Sequence, residues 1–256
     1  MESAENVPVS PPPAPARAKP VAPIWHTVAF LIILLGFAAL QTLPVVQARA
    51  AVVPSRIPTY ILTICFELLM VGYIWLFGLR RRKVSIREII GGKWLRFSDF
   101  LMDVGIALLF WCVVWVVLLG FTRLLKFNGE SAAKLILPQT ITELAIFVLL
   151  ALTAGFCEEL IFRGYLQRQF LALTGNTAAS VALQAVVFGA AHLYQGAKGV
   201  LVISVYGAMF GVLAVMRKSL RPGMIQHAGN DMLSGIAGYL AMKYKIAFML
   251  MQVVRR

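Results

Sequence analysis

Glu158 and Glu159 stand side by side in an otherwise apolar run, with Arg163 four residues beyond the second. A charged side chain at bilayer depth costs several kcal/mol unless it faces protein or water, so such groups mark candidate functional sites. Downstream, again in apolar surroundings, come His192, His227 and Asp231. Glu159 and Arg163 are spaced i,i+4 and can pair on one helix face, which leaves Glu158, about 100° around the helix, free for other work. His227 and Asp231 share the same spacing, as do Phe188 and His192. Two imidazoles and a carboxylate in a desolvated pocket suit the activation of water for attack on a peptide carbonyl. Either a glutamate base acts alone, or a divalent metal such as zinc is held by Glu158, His192 and His227. The remaining donors would stabilise the oxyanion. Against this stands a plainer reading, in which Glu159 and Arg163 form only a structural ion pair and each histidine is a satisfied core residue. The joint occurrence favours chemistry: of three histidines, only His26, at the start of the first apolar run, falls outside the group and is read as structural.

Spacing places these residues relative to one another. Gly175-Asn176 reads as a helix stop and turn. Glu158 lies seventeen residues before Gly175 and His192 seventeen after it. In an antiparallel helical hairpin, equal distance from the turn means equal height, so the two should face each other. His227 lies just inside the basic loop at 217–221, in the same half of the bundle.

The surrounding chain is that of a membrane protein. At 60% hydrophobic residues and a mean hydropathy of +0.81, 256 residues carry more apolar surface than a soluble domain can bury. The formal charge of +13 is concentrated between and beside the apolar runs, the pattern of topology signals and anionic lipid contact rather than of nucleic-acid binding. The expected fold class is all-α, a polytopic transmembrane helix bundle of about seven spans, seven or eight. Residues 1–23 form a disordered Pro-rich tail. Residues 24–122 hold three spans, at about 24–46, 58–79 and 100–121. Residues 139–242 form the bundle that carries the candidate site, and 243–256 an interfacial or membrane-extending segment. Ala48-Arg49-Ala50 resembles a cleavage site, but the preceding run is longer than a signal-peptide core, and a retained helix is expected. Seven basic residues between Arg80 and Arg96 mark a cytoplasmic loop and put the N-terminus inside, with the bacterial inner membrane as the expected location. Glu67 in the second span is read as an interhelical contact or a proton-linked group, and Asp103 as lying near water at the inner end of the third. Cys65, Cys112 and Cys157 are read as buried thiols.

The ordered motifs resemble those of the CAAX prenyl endopeptidases and bacteriocin-processing proteins, the CPBP or Abi intramembrane proteases. That family carries E-E-x-x-x-R, then F-x-x-x-H, then H-x-x-x-N or a related polar residue. Here these read Glu158-Glu159-Leu160-Ile161-Phe162-Arg163, Phe188-Gly189-Ala190-Ala191-His192 and His227-Ala228-Gly229-Asn230-Asp231. The resemblance covers roughly residues 139–242. It implies an intramembrane endopeptidase acting on a membrane-tethered or lipidated peptide near the cytoplasmic face. Glu158 and His192 would activate water, Glu159 and Arg163 would shape the site, and His227 with position 231 would hold the oxyanion or help ligate a metal. The family also contains immunity proteins, so a non-catalytic membrane scaffold is the alternative. Position 231 departs from the pattern. An ionised aspartate cannot donate to an oxyanion, so Asp231 must be protonated, bind a metal, or cede the role to Asn230. Oligomeric state and substrate identity are not legible in these motifs.

Overall fold

The computed structural model describes residues 18–52, 54–127, 129 and 135–244. Most of the expected N-terminal tail, the last twelve residues, and Asn128 and Glu130 of the expected outer loop lie outside the described residues. Every regular element among the described residues is helical: α1 Ile24–Leu40, α2 Pro44–Val52, α3 Ile57–Arg82, α4 Ile86–Ile90, α5 Phe97–Leu125, α6 Ile141–Thr174, α7 Thr177–Ala190, α8 Gly196–Arg217 and α9 Arg221–Tyr244. The all-α bundle expected from hydropathy is therefore the observed fold.

Of the seven expected crossings, α3, α5, α6 and α8 with the turn that leads into it are long and apolar enough to cross a bilayer on their own. The first and fifth differ in length from expectation. α1 stops at Leu40 rather than continuing to Val46, because Thr42 and Leu43 hydrogen-bond back to Ala39 and Leu40 in a tight turn and Pro44 restarts the chain as α2. Proline lacks an N–H and favours the first turn of a new helix. α7 has 14 residues, about 21 Å at ~1.5 Å per residue. α9 has the length to cross but carries the polar residues of the third motif along its N-terminal half.

α6 is fixed at both ends by side-chain chemistry. The Thr140 hydroxyl accepts the Glu143 N–H at 3.1 Å, and Gly175 closes the helix with φ +67°, a conformation glycine adopts without Cβ strain. Asn176 then caps α7 by accepting the Ala179 N–H at 3.0 Å. The reading of 139–174 as one α-helix needs a correction in its middle: Glu159–Leu166 is π-helical. Such widened turns gather at functional sites because they rotate side chains out of the regular α phase.

Nearer the turn than Glu158 and His192, equal distance from Gly175 brings residues of α6 and α7 together. Phe162 lies thirteen residues before Gly175 and Phe188 thirteen after, and their rings meet edge to face with centroids 4.7 Å apart. α9 crosses α6 where Gly155 has no side chain: a Cβ there would lie 2.6 Å from the Ala228 backbone nitrogen. Small residues at such crossings let membrane helices approach to backbone contact.

The structural reading of His26 agrees with its surroundings, while two other expectations, for Asp103 and for the cysteines, are corrected. His26 is fully buried, with Nδ1 2.8 Å from the Tyr165 hydroxyl and its ring stacked on Tyr73. Asp103 is also fully buried, accepting from Trp94 Nε1 at 2.8 Å and paired with Arg221 at 3.0 Å and Arg217 at 3.7 Å. It clasps together the ends of α5, α8 and α9 that meet at the basic loops. Among the cysteines only Cys157 is buried; Cys65 and Cys112 face outward on α3 and α5, where lipid covers a thiol as readily as protein does.

Candidate active site

The two glutamates have different surroundings. Glu159, its side chain 2% exposed, accepts from Arg163 Nη1 at 2.8 Å, the i,i+4 pair expected from sequence. The Arg163 side chain has no exposed surface. Nη2 donates to the Gly207 carbonyl at 3.1 Å, and the guanidinium lies 4.4 Å from the Phe188 ring centroid and 4.9 Å from that of Phe210. A cation held between two aromatic faces and bonded to a carboxylate meets the requirement that buried charge be paired. Glu158 is 18% exposed, and no hydrogen bond holds it among the described residues.

α9 brings His227 onto both carboxylates. Its Nδ1 lies 3.0 Å from Glu159 Oε1, and its Nε2 3.7 Å from both Glu158 Oε2 and Asp231 Oδ2. An ionised carboxylate only accepts, so Nδ1 carries the proton in that contact and Nε2 is the atom turned toward Glu158 and Asp231. Gly223, one turn before His227, leaves room for Glu159: a Cβ there would meet Oε2 at 3.2 Å. The buried residues of this group, Arg163, Glu159 and His227, form one chain of charge and hydrogen bonds linking α6, α8 and α9.

His192 caps the end of α7. Its Nδ1 lies 2.8 Å from the Phe188 carbonyl, which can only accept. The proton therefore sits on Nδ1 and the Nε2 lone pair is available to a water or substrate proton. Phe188, one turn earlier, is the ring that meets Phe162 edge to face and carries the Arg163 guanidinium on its face, so the hairpin core that fixes Arg163 also fixes His192.

Asn230 and Asp231 are held from α5, which the motif reading did not include. Trp111 Nε1 donates to Asn230 Oδ1 at 3.2 Å, which orients the amide so that Nδ2 faces Asp231 Oδ1 at 3.3 Å. One of the two N–H donors of Asn230 is used in that contact. Two further groups border the site. Glu67 on α3 is buried, with Oε2 lacking a hydrogen-bond partner among the described residues, and interacts electrostatically with Glu158, His227 and Asp231. Tyr206 on α8 packs against the His227 ring at 5.8 Å and donates to Gln226 Oε1 at 3.3 Å. The polarity of Glu67 within an apolar span was the sequence signal for it; Trp111 and Tyr206 had none, since aromatic residues are ordinary in such helices.

The geometry brings together Glu158, Glu159, Arg163, His227 and Asp231, with His192 at the adjoining end of α7. It does not assemble the expected metal ligands Glu158, His192 and His227 into a coordination set: among the described residues no group of three or more His, Cys, Asp or Glu side chains is placed to hold a metal ion. Along α9 the site begins six residues beyond Arg221 and ends at Asp231, so it lies ~9–15 Å from that basic end.

Comparison with curated proteins and with solved structures gives no significant match. Residues 140–233 match the family model described as Rce1-like, type II CAAX prenyl endopeptidase. That stretch runs from the cap of α6 into the C-terminal half of α9 and contains all six candidate site residues, so the segment that carries the site is the one that matches the CPBP/CAAX protease family.

Proposed function

We propose that the protein is an intramembrane endopeptidase that hydrolyses a membrane-tethered peptide near the cytoplasmic face, using water activated by Glu158 and His192. The observation that carries this reading is the division of labour between adjacent carboxylates: Glu159 is consumed by Arg163 and His227, while Glu158 remains accessible and unbonded at the mouth of the same cluster. An uncommitted carboxylate at the mouth of the cluster, with a histidine of available Nε2 lone pair at the adjoining end of α7, suits general-base chemistry.

In this mechanism a water lies between Glu158 and His192 Nε2. Glu158 takes its proton as the oxygen bonds to the peptide carbonyl carbon, and the carbonyl oxygen becomes the oxyanion. Collapse of the tetrahedral intermediate breaks the C–N bond as the proton held by Glu158 passes to the leaving amine. Asp231, when ionised, repels the oxyanion, so the second N–H of Asn230, aimed by Trp111, supplies the donor. Arg163 and Glu159 act through His227 by fixing its ring. No step runs through a metal.

The test is cleavage of a peptide library, with and without a lipidated cysteine, by purified protein in lipid nanodiscs, read by mass spectrometry. Glu158→Gln and His192→Ala are each expected to lower turnover by about 10²–10⁴-fold while the protein stays folded. Normal turnover in either removes that residue from the mechanism. If the wild type cleaves nothing while the same substitutions abolish binding of a partner protein, the scaffold reading takes its place.

A further inference from the structure

Where the basic loops gather, two cavities adjoin across one arginine. The larger, about 560 Å³, is lined by Lys19, Arg82, Glu88 and Arg168 together with Val21 and Val84. The smaller, about 250 Å³, is lined by Arg168, Lys218 and Ser180 among others, and Arg168 and Leu171 belong to both. Five cations therefore line the shared space with one carboxylate: Arg163 is already paired with Glu159, which leaves Lys19, Arg82, Arg168 and Lys218, and neither cavity includes Glu158, His192, His227 or Asp231.

The walls of this space are held in place. Buried Gln169, next to Arg168, accepts the Val21 and Ala22 N–H groups at 3.0 and 3.2 Å and donates to the Ala22 carbonyl at 2.8 Å. This pins the extended segment that carries Lys19 against the inner end of α6. Arg168 Nη2 donates to the Ile89 carbonyl at 3.0 Å, which uses one of five guanidinium N–H groups and leaves others for an anion.

The level of the site in the fold points to a lipid rather than a soluble anion. Trp25 and Trp94, 56% and 42% exposed, stand at this end of the bundle, as indole rings do at a membrane–water boundary. Directly beyond the pinned segment in the chain, which lines the larger cavity through Val21, α1 presents Ile24 and Val28 outward as an exposed apolar face. Basic pockets between helices at a cytoplasmic boundary recognise anionic headgroups. We propose that the paired cavities bind the phosphate headgroup of an anionic membrane lipid. The phosphate sits on Arg168 between Lys19 and Arg82, and the acyl chains lie along the Ile24 and Val28 face of α1.

Full-length protein in neutral detergent, incubated with phosphatidylglycerol or phosphatidylcholine and read by native mass spectrometry, tests this. Wild type should retain phosphatidylglycerol preferentially. The Lys19→Gln/Arg82→Gln/Arg168→Gln variant should lose that retention by about tenfold or more. A control that removes three charges from the same end, Arg81→Gln/Lys83→Gln/Arg87→Gln, should lose no more than about twofold. Because Arg168 also anchors Ile89, the Lys19→Gln/Arg82→Gln pair decides the matter if the triple variant does not fold, with an expected loss of about threefold or more. Equal loss in site and control variants, or equal retention of the two lipids by wild type, overturns the proposal. Excess inorganic phosphate should leave the bound phosphatidylglycerol in place; if phosphate displaces it completely, the site is one for a free anion and the lipid assignment fails.

Discussion

Glu158 and Glu159 differ by one position in the chain, and their substitution should separate stability from activity. Removing either partner of the Glu159–Arg163 pair leaves a buried charge without its ion partner, Arg163 entirely so and Glu159 with only the His227 contact. Arg163→Ala or Glu159→Ala should therefore destabilise the bundle by about 3–5 kcal/mol, measured as a shift in reversible unfolding in mixed micelles. Glu158→Gln removes no ion pair to a permanently charged partner, and its unfolding midpoint should stay close to that of the wild type while cleavage is lost. Trp111 belongs to a third kind of residue, one that orients a reacting group without touching substrate. In Trp111→Phe the ring stays and the Asn230 hydrogen bond goes, a loss of about 1 kcal/mol. That should appear as a roughly fivefold fall in kcat with KM little changed; a change confined to KM would remove Asn230 from the oxyanion role.

The α6–α9 crossing is where element geometry becomes chemistry, since it carries Glu158, Glu159 and His227 into reach of one another. Gly155→Val would force the two backbones apart and should destabilise by about 1–3 kcal/mol, with loss of cleavage. Gly36→Val, at a glycine with open space around it, is the control and should do neither. Much of this element-level design was legible in sequence. The i,i+4 spacing foretold the Glu159–Arg163 pair, and counting from Gly175 foretold a register that Phe162 and Phe188 obey. What was hidden depends on packing between helices distant in the chain. The Trp111–Asn230 bond spans 119 positions, and an indole inside an apolar helix gives no sign of its partner. The break after Leu40 was readable from Pro44, but the hydropathy of 24–46 continues through it and masked it. The π-helical turn at 159–166 leaves no mark on residue type, because the same side chains fit either pitch until neighbours choose.

At the scale of the molecule, the basic residues define one end and the proposed orientation follows from them. Cysteines introduced as Lys83→Cys and Lys126→Cys should react differently with a membrane-impermeant maleimide: Lys126→Cys in intact cells, Lys83→Cys only after permeabilisation. The reverse order would invert the proposed topology and move the site to the outer half. The inner end is also where Asp103 meets Arg217 and Arg221, and the separation of these partners in sequence affects how the chain is made. Asp103 precedes Arg221 by 118 positions, and at ~5–20 residues per second synthesis of that stretch occupies roughly 6–24 s. Throughout that interval α5 has its carboxylate but neither arginine, so the clasp closes only when the last two helices arrive. A chain interrupted anywhere between α5 and α8 therefore holds Asp103 without the two arginines that neutralise it in the finished fold.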